Sequence, residues 1–163
     1  MLDEPVAEHL KTLRHAAVRL LARREHSAEE LRQKLGKRQS PDEISSEQHT
    51  ELIVQLLDEL RGEGLQSDRR FAESYAHTRI QKGYGPQRID NELRERGVSE
   101  SIRRETLRAL ADSGEVDWWA LMQQVREKKF GSTLPEDYAS RSKQMRFLQY
   151  RGFASEAIRE LFS

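Results

Sequence analysis

An internal repeat is the feature that most constrains what this chain can fold into. Three sets of residues recur along the sequence, each at a constant offset. The matches are Ser27, Leu31 and Leu35 with Gly85, Ile89 and Leu93 at 58 positions; Lys82, Tyr84 and Gly85 with Lys128, Phe130 and Gly131 at 46; and Leu93, Arg96, Gly97 and Val98 with Leu148, Arg151, Gly152 and Phe153 at 55. Recurrence at about 50 residues is typical of small units that share buried surface with their neighbours.

Within the repeats, the apolar residues follow the spacing of an amphipathic helix. Leu10, Leu13, Ala17 and Leu20 fall on one face and predict a helix over roughly 6–25. Nineteen Leu and 13 Ala against 12 Val plus Ile also favour helix over sheet. We therefore predict an all-α protein of three tandem three-helix repeats: 1–64 with an N-terminal extension, 65–114 and 115–163. The alternative is an irregular one-domain bundle.

Polar residues mark where several helices begin. Ser27 with Glu30 and Ser45 with Gln48 have the spacing of capping boxes, in which side chain and backbone satisfy each other's hydrogen bonds. Asp68 precedes another apolar series, so we predict that it caps the helix that follows.

Residue types argue against enzyme chemistry, metal sites and cofactors. The absence of cysteine excludes disulfides, thiol catalysis and Cys-ligated metals. No two histidines have the helical zinc spacing, and we expect all five at the surface or its boundary: His9, His15, His26, His49 and His77. Carboxylates alternate with Arg and Lys as intrahelical pairs do, so we predict no catalytic residue, no metal ligand and no bound cofactor.

Two further features of the sequence indicate a cytoplasmic protein without a membrane segment. No run reaches the roughly 18 apolar residues of a membrane span. The first five residues carry two acids and lack the basic region of a secretory signal.

Charge alternates along the chain although it sums to zero. The blocks 1–40, 41–68, 69–110, 111–140 and 141–163 carry net charges of +3, −7, +4, −3 and +3. A protein-wide basic field for nucleic acid is therefore absent, while local basic stretches remain.

Four segments resemble the RecX regulatory proteins of bacteria, which modulate the recombinase RecA. They lie in the family's order and extend over most of the chain: Ala17–Ser27 with Glu30, Leu31 and Leu35; Asp68–Ala72 with Tyr75; Lys82–Pro86 with Arg88, Ile89, Glu92 and Leu93; and Arg146–Leu148 with Arg151, Gly152 and Phe153. The polar loop 36–46, with Pro41, departs from the short Gly-aromatic turn of many members.

The resemblance implies an elongated, curved body that binds the RecA nucleoprotein filament in its helical groove and touches more than one protomer. It also implies reduced ATP hydrolysis, strand exchange and co-protease activity, and hence negative modulation of recombination and the SOS response. We expect a monomer. The alternative is a helical module that acts mainly on single- or double-stranded DNA.

The candidate contacts with the filament or DNA are the basic residues near the turns of each repeat. They are Arg23, Arg24, Arg32 and Lys34 in the first; Arg79, Lys82, Arg88, Arg94 and Arg96 in the second; and Lys128, Lys129, Arg141, Lys143, Arg146 and Arg151 in the third. We interpret Tyr84 and Phe130 as plugs that fill the space between helices; the alternative is that their rings stack on bases. Because we expect Arg88 to face outward, a Lys82→Glu, Arg88→Glu double variant should stay folded and lose filament binding.

Overall fold

The computed structural model describes residues 3–163, and Met1 and Leu2, part of the stretch searched for a secretory signal, lie outside this range. Between residues 3 and 163 the chain forms nine α-helices and no strand. These are α1 Glu4–Arg23, α2 Ala28–Gly36, α3 Ser46–Gly62, α4 Asp68–Gln81, α5 Pro86–Glu95, α6 Glu100–Asp112, α7 Trp118–Phe130, α8 Tyr138–Arg151 and α9 Ser155–Leu161. The all-α prediction is confirmed. No helix in this range is both long and apolar enough to cross a membrane.

Both predicted capping boxes are present. The Ser27 hydroxyl accepts from the backbone N–H of Glu30, whose side chain accepts from the N–H of Ser27. Ser45 and Gln48 make the same reciprocal bonds at the start of α3. These bonds satisfy N–H groups that the first helical turn leaves without partners.

The prediction that Asp68 caps α4 is wrong. The hydroxyl of Ser67, one residue earlier, accepts from Arg70 N at the start of α4. The Asp68 carboxylate instead accepts from the backbone N–H of Ala28 at 2.9 Å. Asp68 thus satisfies the first turn of α2, forty residues earlier in the chain, where a negative charge is favourable.

The chain divides into two compact units: residues up to Ala72 together with 96–98, and residues 73–95 together with 99–163. In the first unit, α1 and α2 pack on α3 around an aliphatic core. Its buried members are Leu13, Ala16, Ala17, Leu35, Leu52, Ile53, Leu56 and Leu60. Full burial of each leucine contributes about 1.5–3 kcal/mol.

In the second unit, α7, α8 and α9 enclose a core of Met122, Leu148, Phe153, Ile158 and Phe162. The backbone of the α4–α5 turn lies directly against the end of α8. Gly85 N donates to Arg151 O at 2.7 Å, and Gln87 N donates to Gly152 O at 3.0 Å. A Cβ on Gly85 would lie 2.6 Å from the Gly152 carbonyl, so only glycine permits this approach.

Three histidines are buried, which corrects the expectation that all five lie at the surface or its boundary. His9 and His49 are 4% and 7% exposed, and His9 Nε2 is 2.8 Å from His49 Nδ1. His26 is also buried, with Nδ1 3.1 Å from Arg24 O and Nε2 3.1 Å from Lys34 Nζ. Each ring thus makes at least one close polar contact, although the buried Nε2 of His49 has no hydrogen-bond partner among the described residues.

Candidate functional site

The α4–α5 turn presents a tyrosine to three arginines of the second unit. The last turn of α4 closes with Gly83 N donating to Ile80 O and Tyr84 N donating to Arg79 O. Gly83 has a φ of +85°, which a side chain would strain. The chain therefore turns sharply and places Tyr84 between α4 and α5.

Tyr84, Arg79, Arg88, Arg151 and Tyr150 form what we call the arginine–tyrosine cluster. The guanidinium carbons of Arg79, Arg88 and Arg151 lie 3.9, 4.4 and 4.8 Å from the Tyr84 ring centroid. Each such cation–π contact is worth about 0.5–2 kcal/mol, more where water is excluded. The half-buried ring thus holds three cations of separate helices in one place.

Backbone carbonyls fix two of these arginines. Arg151 Nη1 donates to Lys82 O at 2.8 Å and to Gly83 O at 3.3 Å. Arg88 Nη1 donates to Tyr150 O at 3.1 Å, and its guanidinium lies 4.7 Å from the Tyr150 ring centroid. Tyr150 remains 73% exposed, so the cluster presents an open aromatic ring backed by a cation.

Glu92 is the carboxylate of the cluster. Arg79 donates to it through Nε and Nη2, both at 2.9 Å, and Arg88 Nε lies 3.5 Å from its Oε2. Burial lowers the pKa of Arg88, but hydrogen bonding to the Tyr150 side chain and the charge of Glu92 outweigh that effect and raise it. Arg88 therefore stays cationic at any physiological pH.

An aromatic pair, with one ring on α7 and one on α8, lies next to Arg151. The Phe130 and Phe147 rings meet edge to face, with centroids 5.3 Å apart. The Arg151 guanidinium is 5.3 Å and Lys129 Nζ 4.7 Å from the Phe147 centroid. Phe130 thus packs against a ring and Tyr84 against guanidiniums, which agrees with the plug interpretation.

The basic candidates of the first unit are mostly engaged by local acids. Arg24 donates to Glu30 through both terminal nitrogens, and Arg32 donates to Glu29 through Nε and Nη2. Arg96 belongs to this unit, with Nε 4.0 Å from Glu30 Oε2. Lys34 contacts His26, and Arg23 is an exposed side chain in the last turn of α1.

The remaining candidates of the second unit differ in exposure. Five are exposed: Lys82, Arg94, Lys128, Lys143 and Arg146. Arg141 is half-buried and donates to the carbonyl of Phe162. Arg126, which the sequence did not single out, is buried against Gln144 and the Ser132 carbonyl.

The spacing of intrahelical pairs predicts the Arg88–Glu92 contact, but sequence reasoning missed Tyr150 and the bond between Glu92 and Arg79. Tyr150 directly precedes the Arg151–Gly152 pair of the third repeat, and that position was the available signal. No group of three or more His, Asp or Glu within residues 3–163 is placed to hold a metal ion.

Comparison with known proteins gives the family. Family models described as the first, second and third three-helix domains of RecX match residues 14–47, 67–107 and 115–162. "Regulatory protein RecX" of Pseudomonas entomophila is 44% identical over 163 residues, covering 100% of this chain and 94% of that one. The protein of the same name from Ectopseudomonas mendocina is 44% identical over 161 residues, covering 99% and 96%. The one from Halorhodospira halophila is 41% identical over 150 residues, covering 91% and 85%.

Solved structures share the fold. A crystal structure of regulatory protein RecX aligns with a TM-score of 0.75 at 23% identity, covering 99% of this chain and 78% of that one. RecX from Lactobacillus salivarius aligns with a TM-score of 0.70 at 20% identity, covering 94% of both chains. With the full-length sequence matches, this agreement establishes that the chain belongs to the RecX family of regulatory proteins.

Proposed function

We propose that this protein binds the RecA nucleoprotein filament and lowers its ATPase, strand-exchange and co-protease activities. It thereby acts as a negative modulator of recombination and the SOS response, in the cytoplasm and as a monomer. The observation that carries the proposal is the match to proteins named regulatory protein RecX over the whole chain.

The chemistry of the arginine–tyrosine cluster suits binding rather than turnover. Guanidinium groups stay protonated, so they attract anions but do not serve as general acids or bases near pH 7. Arg88 and Arg151 are held by the Tyr84 ring and by carbonyls before any partner arrives, and Arg79 is held by the same ring and by Glu92. This order in the free protein lowers the entropy cost of binding. The protein should therefore act stoichiometrically, without turnover of its own.

The repeat organisation supports contact with more than one filament subunit. We propose the boundaries 1–64, 65–114 and 115–163 for the three units. Family-model matches fall in each of these ranges and in the same order. A chain of similar small units can present similar surfaces to successive protomers of a helical partner.

The test is the DNA-dependent ATPase of recombinase filaments at increasing ratios of this protein. Inhibition should scale with the ratio of the protein to filament subunits and level off once the sites are filled. Unchanged ATPase at ratios above one per subunit, with the protein folded, would contradict the proposal. Hydrolysis of ATP by the protein alone would contradict the binding role.

A direct contact with single- or double-stranded DNA is the second candidate function. The observation in its favour is the exposed Tyr150 ring stacked on the Arg88 guanidinium. Salt separates the two candidates: binding to bare DNA falls steeply with salt when phosphates dominate. A weak salt dependence of filament binding would favour protein contacts.

A further inference from the structure

We propose that the arginine–tyrosine cluster binds the phosphodiester backbone of single-stranded DNA and that Glu92 is a built-in competitor for its arginines. This inference rests on the proposed function, because a filament on single-stranded DNA supplies such a strand. It goes further by naming the ligand chemistry of the site and the residue that limits its affinity.

The balance of charge in the cluster favours an anionic ligand. Arg79, Arg88 and Arg151 share one half-buried ring, and Glu92 is the one carboxylate bonded to them within residues 3–163. The other acceptors of Arg88 and Arg151 are neutral carbonyls. Two positive charges are therefore left without a countercharge, and such a surplus attracts an anion.

The geometry of the hydrogen-bond donors in the cluster suits a phosphate. Each guanidinium carries five N–H donors in a planar fork that matches phosphate. Within the described chain, Arg151 donates hydrogen bonds to other residues through Nη1 only. Arg88 also donates through Nη1, to the Tyr150 carbonyl. Both forks thus keep donors for an incoming oxyanion while their carbonyl bonds hold them in position.

The exposed ring of Tyr150 favours nucleic acid over an acidic peptide as the ligand. Tyr150 is largely exposed to solvent, and the Arg88 guanidinium lies 4.7 Å from its ring centroid. Successive bases of single strands stack on such rings while cations track the backbone. An acidic peptide would use the arginines but leave the ring without a counterpart.

Glu92 occupies donors that a phosphate would otherwise take. It accepts from two nitrogens of Arg79 and sits 3.5 Å from Arg88 Nε. Its negative charge also repels a phosphate a few ångströms away. Neutralising this carboxylate should tighten the binding of a polyanion about tenfold at low salt.

The experiment measures binding of a fluorescein-labelled oligothymidylate by anisotropy, with the full-length protein and no recombinase. Glu92→Gln should bind about tenfold more tightly than wild type. The matched control is Glu100→Gln, which removes the same charge from an exposed pair with Arg104 on α6 and should bind within about twofold of wild type. Equal affinities of the two variants would overturn the proposal.

Salt dependence gives a second readout from the same assay. Loss of one phosphate contact lowers the slope of log K against log salt by about 0.7 for a single strand. Arg151→Gln should show this decrease, and Arg104→Gln should keep the wild-type slope. An unchanged slope for Arg151→Gln would remove the assigned phosphate contact.

Wild-type protein decides the matter if Glu92→Gln fails to fold. The Nε–H resonances of Arg88 and Arg151 should shift on addition of tripolyphosphate or oligothymidylate, while that of Arg104 stays in place. Absence of these shifts would overturn the proposal, and equal shifts with poly-glutamate would assign the site to acidic protein instead. These binding assays contain no recombinase, so they test only this inference. The proposed function is tested separately, by the inhibition of filament ATPase by the wild-type protein. The failure of one can therefore be distinguished from the failure of the other.

Discussion

Two arginines of the second compact unit are held differently from two of the first. In the first unit, Arg24 and Arg32 each meet a carboxylate in a two-pronged pair, and the acids lie a few residues away in the same stretch of chain. In the second unit, Arg88 and Arg151 bond to backbone carbonyls and share the Tyr84 ring. An arginine paired with a local carboxylate stabilises a helix. The positive charge of an arginine that is held by neutral groups is not balanced in this way and can attract a partner.

The buried polar groups extend this contrast. The first unit buries the His9–His49 pair, whose hydrogen bond needs at least one neutral ring as acceptor. The second unit buries Arg126, a permanent cation, against Gln144 and a carbonyl. We therefore expect low pH to destabilise the first unit and anions to bind to the second.

Substitution of glycine should give the largest difference between the units. Gly85→Ala would force a Cβ to within 2.6 Å of the Gly152 backbone and should destabilise the protein by about 3 kcal/mol or more. Gly36→Ala, at the end of α2, places its Cβ in open space and should be neutral or stabilising by about 0.5 kcal/mol. Urea denaturation of both variants provides the comparison; equal stabilities would contradict the close approach of the turn to α8.

Acidification should loosen the first unit. The pKa of His9 is lowered by burial first, and further by the charges of His49 and Arg38. Because the unfolded chain binds a proton at His9 more readily than the folded protein does, the neutral His9 ring contributes to the free energy of unfolding. This stabilisation is complete above about pH 6.5 and is lost as the pH falls through the lower folded pKa.

The measurement is the urea midpoint between pH 7.5 and pH 5. We expect His9→Gln to flatten the decline, while His15→Gln, an exposed position on the same helix, leaves it unchanged. A decline of wild-type slope in His9→Gln would show that the pair is not its source.

An exposed tyrosine of the second unit should matter for binding and little for stability. Tyr150→Ala removes the open ring of the cluster and should weaken filament binding by about fivefold or more. Tyr138→Ala is the control, because Tyr138 is also on α8, is 85% exposed and lies outside the cluster. Equal binding by both variants in a fluorescence titration would argue against the cluster as a contact surface.

The smallest effect is expected at Lys82. Its side chain is exposed, so Lys82→Glu should change the unfolding free energy by about 0.5 kcal/mol or less and slow association with the filament. Stopped-flow association at two salt concentrations measures this, with Lys143→Glu as a second exposed position. Rates equal to wild type at low salt would show that Lys82 lies away from the contact. The double variant with Arg88→Glu is a poor test, because Arg88 also bonds to Tyr150 O and Glu92.

Local features of the sequence predicted the helices and both capping boxes, since the 3.6-residue period and the Ser–Glu spacing act within one or two turns. The same features could not choose between Ser67 and Asp68 as the cap of α4, because the carboxylate found its donor forty residues away at Ala28. The His9–His49 bond also spans forty residues, and the Arg88–Tyr150 bond spans 62. Contacts of this kind depend on tertiary packing, so a single sequence identifies the basic candidates without ranking them.

Co-sedimentation with recombinase filaments on single-stranded DNA tests the central claim most directly, with wild type, Arg151→Gln and Arg104→Gln compared at equal concentration. Arg151 belongs to the cluster, whereas Arg104 is in an exposed helix pair with Glu100. We predict that wild type and Arg104→Gln pellet with the filament and that Arg151→Gln, although folded, binds about tenfold more weakly. Equal recovery of Arg151→Gln and Arg104→Gln in the pellet would contradict it.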